Sequence, residues 1–241
     1  MHTNAIRLIG STVAIFLSAS FTNAAEPQPT SAAKDASARA TIEGTVVYQA
    51  DSKRRWRYAR YYVKDRKTGY LAEAVVALRG SKLRKWVSPA RPTTAVIDQR
   101  DFRFIPETVT IRTGDRVKFA NSDPQLHNIN TSDGARPFNI NLHKGDEQFL
   151  TFEKASGTRR PIRLGCVFHS AMRAWIFVFD HPFFQMTSEN GRFRFNGVPP
   201  GEYRLEMVHP AGELKWSKQI KIEQGEHLKL DIRVSPDDKA P

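Results

Sequence analysis

The string Cys166-Val-Phe-His169-Ser-Ala-Met172 puts a thiol, an imidazole and a thioether within seven residues. Soft thiolate and thioether donors stabilise Cu(I), and imidazole serves both Cu(I) and Cu(II), so the set suits a metal that cycles between those states. Zinc sites more usually gather several Cys or His residues and no Met. Carrying three donors on one short loop fixes their mutual geometry, so little rearranges when an electron moves. Cys166 is also the only cysteine of the chain, which excludes an internal disulfide. A lone thiol is an oxidation liability, and metal ligation gives it a purpose. The competing reading is that Cys166, His169 and Met172 are ordinary core residues.

A fourth donor must come from elsewhere. His127 follows Asn121-Ser-Asp-Pro, at the end of an apolar-alternating segment over 115–121, and Asn128 comes next. His143 is the rival, set in a polar stretch that no strand is expected to feed. Placement favours His127. Four protein donors leave no open position for a substrate, so the expectation is a metalloprotein that is not an enzyme. An oxidase or nitrite reductase would need further His ligands, and the sequence offers no obvious set.

The elements that must position these residues are short strands. No long stretch has helical periodicity, and turn residues punctuate alternating apolar segments throughout, so the fold class is all-β. Three blocks are expected. The first, 41–80, holds strands Ile42–Tyr48 and Ala72–Arg79. The second, 94–180, has Val109/Ile111 and Val117/Phe119 alternating on either side of Gly114-Asp115, which reads as a hairpin turn. It continues with Phe149–Phe152, with Ile162, Leu164 and Cys166 on one strand face, and with 174–179, apolar on both faces and so central. The third, 181–236, alternates through Phe193/Phe195, Tyr203/Leu205/Met207, Trp216, Ile220/Ile222 and Leu228 to Val234.

Phe104-Ile-Pro-Glu-Thr-Val-Thr-Ile, Gly114-Asp-Arg-Val-Lys-Phe-Ala-Asn121, His127-Asn128 and the C-x-x-H-x-x-M loop, in that order, resemble the plastocyanin, pseudoazurin and amicyanin group of cupredoxins. The short Cys-to-Met spacing looks most like amicyanin. The resemblance covers about 94–180. It implies a Greek-key cupredoxin sandwich, one type 1 (blue) copper held by His127, Cys166, His169 and Met172, and electron transfer as the function. It also implies that Asn128 ties the two ligand loops together. In amicyanin-like loops Pro and then a bulky aromatic commonly follow the second His; here Ser170 and Ala171 stand there, which predicts a smaller, more polar docking patch. Ser170 has a backbone N–H that Pro lacks. On a tight loop that N–H could reach the Cys166 sulfur and raise the copper potential, so Ser170→Pro is expected to lower it.

The third block resembles the carboxypeptidase regulatory-like, transthyretin-like module, through Thr187–Phe193 and Val198-Pro-Pro-Gly201-Glu-Tyr203-Arg-Leu205. That module normally begins with two further strands, and Gly44-Thr-Val-Val and Ala74-Val-Val-Ala-Leu in block one match them. The resemblance implies an accessory sandwich into which the cupredoxin is inserted, 41–80 joining 181–236; packing beside it is the alternative. An apolar run after Arg7 and small residues before Glu26 predict a signal peptide over 1–25, followed by a disordered linker over 26–40. The expected location is the periplasm or another exported, soluble setting. The net charge of +12 favours acidic partners: a redox protein such as a cytochrome or dehydrogenase, or an anionic membrane surface. The basic, aromatic segment 53–64 is a candidate docking surface for either. No nucleic-acid-binding motif is present. A copper-binding or copper-sensing protein without electron turnover is the alternative function.

Overall fold

A computed structural model describes residues 39–49, 59, 63–86, 91–133 and 137–236. The expected signal peptide, most of the linker and most of the basic aromatic segment lie outside these residues. Two strands come first, β1 (Ala40–Tyr48) and β2 (Val75–Arg79). Nine follow: β3 (Thr94–Arg100), β4 (Arg103–Ile105), β5 (Thr108–Arg112), β6 (Arg116–Asn121), β7 (His127–Thr131), β8 (Phe138–Leu142), β9 (Glu147–Thr151), β10 (Ile162–Gly165) and β11 (Arg173–Phe179). The last six are β12 (Phe184–Met186), β13 (Arg192–Val198), β14 (Gly201–His209), β15 (Leu214–Ile222), β16 (His227–Lys229) and β17 (Ile232–Val234). The protein is all-β.

The strands form four sheets. β1 pairs antiparallel with β13 and parallel with β16 and β17; opposite it runs a sheet in the order β12-β2-β14-β15. Strands from 40–79 therefore pair with strands from 184–234, and both sheets bury side chains in one core that includes Ile42, Val76, Leu78, Phe193, Tyr203 and Leu205. β3 to β11 make the other two sheets, ordered β4-β3-β6-β9 and β5-β11-β10-β7-β8, around a core that includes Phe104, Phe119, Ile129, Leu164 and Ile176.

The two sandwiches share an interface because β11 is apolar on both faces. Ala174, Ile176 and Val178 face the inner core, while Trp175, Phe177 and Phe179 pack with Val75 and Ala77 of β2 and with Val208 of β14. Period-2 alternation puts consecutive residues on opposite faces, so a strand apolar at every position must be covered twice. Glu206 of β14 is buried beside this seam, held by the Thr158 hydroxyl and by Arg79 Nε at 2.8 Å.

One expected feature is corrected. Gly114-Asp115 does not close a hairpin: β5 pairs with β11 in one sheet, and β6 pairs with β3 and β9 in the other. The turn is a step between sheets. Gly114 takes φ of 86°, and the Asp115 carboxylate accepts from Thr93 N–H at 2.7 Å and Arg112 N–H at 2.9 Å. Both strands alternate because both bury a face in the same core; alternation reports the buried face and leaves the hydrogen-bonding partner open.

Candidate metal centre

Three strand ends meet at one end of the inner sandwich. His127 is the first residue of β7, Cys166 follows β10 directly, and His169 and Met172 lie on the loop that enters β11. β7 and β10 are adjacent, with Gly165 opposite Asn130, which brings His127 beside the loop. The stretch from Asn121 to His127 is shaped by Asn121. Its Nδ2 donates to the carbonyls of Gln125 and Leu142, each at 2.8 Å, and its Oδ1 accepts from Asp123 N–H at 2.9 Å. Within the loop, His169 N–H donates to Cys166 C=O at 3.3 Å and Met172 N–H to His169 C=O at 3.0 Å. These turns swing His169 back over Cys166 and carry Met172 into the core.

The donors converge. The ligand atoms of His127, Cys166 and His169 all lie within 4.8 Å of one another. His127 Nδ1 is 3.1 Å from His169 Nδ1, and Cys166 Sγ is 3.6 Å from His169 Nδ1. Two imidazole nitrogens bound tetrahedrally to one ion stand about 3.3 Å apart, and a thiolate and an imidazole about 3.6 Å apart, from ordinary metal–nitrogen and metal–sulfur bond lengths. The spacing thus fits donors around a single cation. Met172 is fully buried in the same core cluster as Cys166. The mixed set of thiolate and imidazole, with a thioether beside it, is the chemistry that copper prefers.

Hydrogen bonds fix this arrangement. His127 Nε2 lies 2.7 Å from Asp123 Oδ2. Burial pushes the Asp123 carboxyl up, but hydrogen bonds from Phe102 N–H, the His127 ring and Asp101 N–H outweigh it and hold the group below its ordinary range. An ionised carboxylate only accepts, so His127 donates through Nε2–H and turns Nδ1 to the cluster. Asn128 N–H donates to Cys166 Sγ at 3.4 Å, and Asn128 Oδ1 accepts from Val167 N–H at 3.3 Å. Asn128 thus joins the His127 strand to the Cys166 loop. Its own amide is held by Asn139 Oδ1 at 2.6 Å and Asn141 Oδ1 at 2.9 Å, and its Oδ1 also accepts from Asn130 Nδ2 at 2.8 Å.

Two expectations about this region are revised. His143 is fed by a strand after all, β8, but it is exposed and does not belong to the cluster. The donor to the sulfur is Asn128 N–H and not Ser170 N–H; among the described residues Ser170, which is exposed, makes no bond to Cys166. Ser170 occupies the second position of the turn closed by Met172 N–H on His169 C=O.

Asp123 and Phe102 were not singled out from sequence. Arg100 pairs with Arg103 across β3 and β4, which leaves Asp101-Phe102 as a two-residue hairpin loop with φ of 54° and 56°. Such a loop normally takes Asn-Gly or Asp-Gly, and a left-handed residue with a side chain costs about 1–2 kcal/mol. Asp123 offsets that cost by accepting Asp101 N–H on Oδ1 at 2.8 Å and Phe102 N–H on Oδ2 at 3.1 Å. The Phe102 ring then stands edge-on to both imidazoles, 4.9 Å from His169 and 5.6 Å from His127 between centroids. The available signals were a carboxylate four residues before the histidine and a large apolar residue in a run of charges, Arg100-Asp-Phe-Arg103. The surface beside His169 is also less polar than Ser170 and Ala171 imply, because Phe102 and Phe168, whose rings meet its imidazole at 4.9 and 6.5 Å between centroids, are exposed.

Part of the chain resembles cupredoxins. No family model and no curated protein matches it. Among solved structures, 39% of the chain is similar to a copper-containing nitrite reductase from Thermus scotoductus SA-01, at 24% identity and a TM-score of 0.34, and spans 24% of that protein. Amicyanin from Paracoccus versutus is similar over 43% of this chain and 96% of its own, at 22% identity and a TM-score of 0.32. A purple cupredoxin from Nitrosopumilus maritimus is similar over 35% of this chain and 98% of its own, at 24% identity and a TM-score of 0.31. No helix among the described residues is long and apolar enough to cross a membrane.

Proposed function

We propose that the protein is an exported one-electron carrier with one type 1 copper held by His127, Cys166, His169 and Met172. The observation that carries this reading is the convergence of His127, Cys166 and His169 donor atoms within 4.8 Å, at spacings that suit one ion. Copper, when bound, supplies a one-electron couple. The chain's own residues hold the donors in place: Asp123 orients His127, and Asn128 donates to the sulfur and pins the Cys166 loop. A thiolate, two imidazoles and a thioether fill the metal's positions with protein groups, which favours electron passage over substrate turnover.

The exposed Phe102 and Phe168 flank the His169 imidazole and, with the exposed Leu126 and Val167 next to His127 and Cys166 in the chain, offer an apolar contact face; the basic charge of the chain favours an acidic redox protein as the partner. The sandwich that contains β1, β2 and β12–β17 is read as a transthyretin-like accessory module that carries no chemistry of its own.

The test is the colour of the copper-loaded protein. Cu(II) should give an intense visible thiolate-to-copper charge-transfer band and a reversible one-electron couple. Cys166→Ser should abolish the band, and His127→Ala should disrupt it. A colourless copper-loaded protein with a tetragonal EPR spectrum overturns the reading.

A further inference from the structure

Phe102 comes from a different sheet than the Cys166 loop, and core packing does not account for it, since 46% of its surface is exposed. The covered part of its ring meets the two imidazoles. His169 is the partly exposed member of the cluster, and Phe102 lies closer to it than to His127, at 4.9 Å against 5.6 Å. The ring thus stands on the side from which solvent would reach the donors. Its backbone is in the left-handed region, where a glycine would rest without strain. Strain of this kind persists only where surrounding contacts over-determine it, and it concentrates at functional sites. Here the contact is one carboxylate: Asp123 accepts both N–H groups of the Asp101-Phe102 loop and meets His127 Nε2. Ligand and loop are therefore positioned by the same side chain.

We propose that Phe102 caps the candidate copper centre and that Asp123 is the positioning residue that holds the cap, so that small anions such as azide are kept from the metal. This rests on the copper reading above. The alternative is that Phe102 serves only as an apolar contact for a partner protein, in which case its loss leaves the metal closed.

The experiment is an azide titration of the full chain loaded with Cu(II), followed by visible absorption and EPR, on wild type, Phe102→Ala, Phe102→Trp and Asp123→Ala. Wild type and Phe102→Trp should stay unchanged. Phe102→Ala and Asp123→Ala should gain an azide-to-copper band at azide concentrations that leave wild type unchanged. Phe102 is exposed, so its variants test the cap even if Asp123→Ala does not fold. A blue wild type with an azide-silent Phe102→Ala overturns the cap, as does a blue wild type that already binds azide. A Phe102→Ala that binds azide beside an Asp123→Ala that does not removes Asp123 from the proposal. A wild type without the blue band overturns the copper reading itself, a result separable from all of these.

Discussion

His127 and His209 sit in different sandwiches and are equally hidden, 0% and 1% exposed. The surroundings of the two rings differ. His209 ends β14 and uses Nδ1 to accept Gly212 N–H at 3.2 Å, capping the 3-10 turn Pro210–Gly212. Burial depresses its pKa to about 4, so the ring is neutral at pH 7 and serves local backbone structure. His127 faces polar atoms on both nitrogens, a carboxylate on Nε2 and a second imidazole on Nδ1, with a thiol beside them. Burial alone therefore does not mark a functional histidine. What sets His127 apart is a ring nitrogen aimed at other candidate metal donors. His181 falls on the structural side of this divide: it is buried, accepts Phe183 N–H at 3.1 Å, and packs among Phe179, Phe183 and Phe184.

The proposed contrast between a metal-binding and a supporting sandwich breaks first if the second does not depend on its early strands. β1 lies between β13 and the β16/β17 pair, and β2 lies between β12 and β14, so both are interior to their sheets. Expressed alone, residues 181–241 should show no cooperative unfolding transition and should aggregate through the exposed edges. Supplying residues 39–86 in trans should restore the transition. A monomeric 181–241 fragment with a sharp thermal transition would refute this dependence.

A smaller effect separates the two histidines by pH. The folded pKa of His209 lies below its ordinary value of 6.5, at about 4. The unfolded chain therefore binds a proton that the folded chain refuses. Stability from this group is complete above pH 6.5 and is lost as pH falls toward 4, by about 3 kcal/mol over the window. Asparagine at this position can still accept the Gly212 N–H and does not titrate. His209→Asn should flatten the slope of unfolding free energy between pH 6.5 and 4, apart from the part contributed by His181, whose pKa is also lowered by burial. The copper band should be unaffected. An unchanged slope in denaturant titrations would show that His209 is not the group responsible.

How much of this was legible in the sequence follows from the range of each signal. The proximity of Cys166 and His169 was legible because residues on one short loop are local by construction. The pairing of β1 and β2 with the last block was legible through two short strings that only make sense together. The double-faced role of β11 was legible because apolar side chains at every position leave no solvent face. β8 was missed because Asn139, Asn141 and His143 alternate with apolar residues weakly, on a strand at a sheet edge. The step at Gly114-Asp115 was misread because alternation does not specify a partner strand. Asp123 and Phe102 left only weak local signals, for a third reason. Their contact joins a hairpin loop to the segment before β7, and no local pattern reports a carboxylate that serves two elements at once.

Asn128 sharpens the chemical side of the comparison at still smaller cost. Its side chain accepts Val167 N–H and donates to the asparagines of β8, while its backbone N–H reaches the sulfur. Asn128→Ala keeps the backbone donor and removes only the tie between strand and loop. Copper affinity should fall about 10–100-fold, the range for residues that orient metal ligands, with the blue band retained at saturation. Competitive titration against a copper chelator measures this. Equal affinity in the variant and wild type would assign the asparagine cluster to strand pairing alone.

The smallest expected effect is at Ser170, and it divides the sulfur's two candidate donors. His169 C=O accepts Met172 N–H at 3.0 Å, so residues 169–172 form a β-turn with Ser170 in its second position. Proline is favoured there, because the turn already requires the backbone angle that its ring imposes. Ser170 is exposed, and the sulfur receives its hydrogen bond from Asn128 N–H at 3.4 Å. Ser170→Pro therefore removes an N–H that the thiolate does not use. A hydrogen bond to a charged group is worth about 1–2 kcal/mol, and a tenfold change in a one-electron equilibrium is about 59 mV, so losing a true donor would lower the potential on the order of 50–100 mV. The expected shift in the voltammetric midpoint is well below that. Stability should instead rise by about 0.4–1 kcal/mol, since proline narrows the unfolded ensemble at a site whose folded geometry it matches. A drop of the larger size with the blue band intact would mean that Ser170 N–H turns to the sulfur once copper is bound, and that the loop rearranges on loading. An unchanged midpoint leaves Asn128, on the neighbouring strand, as the donor that tunes the thiolate.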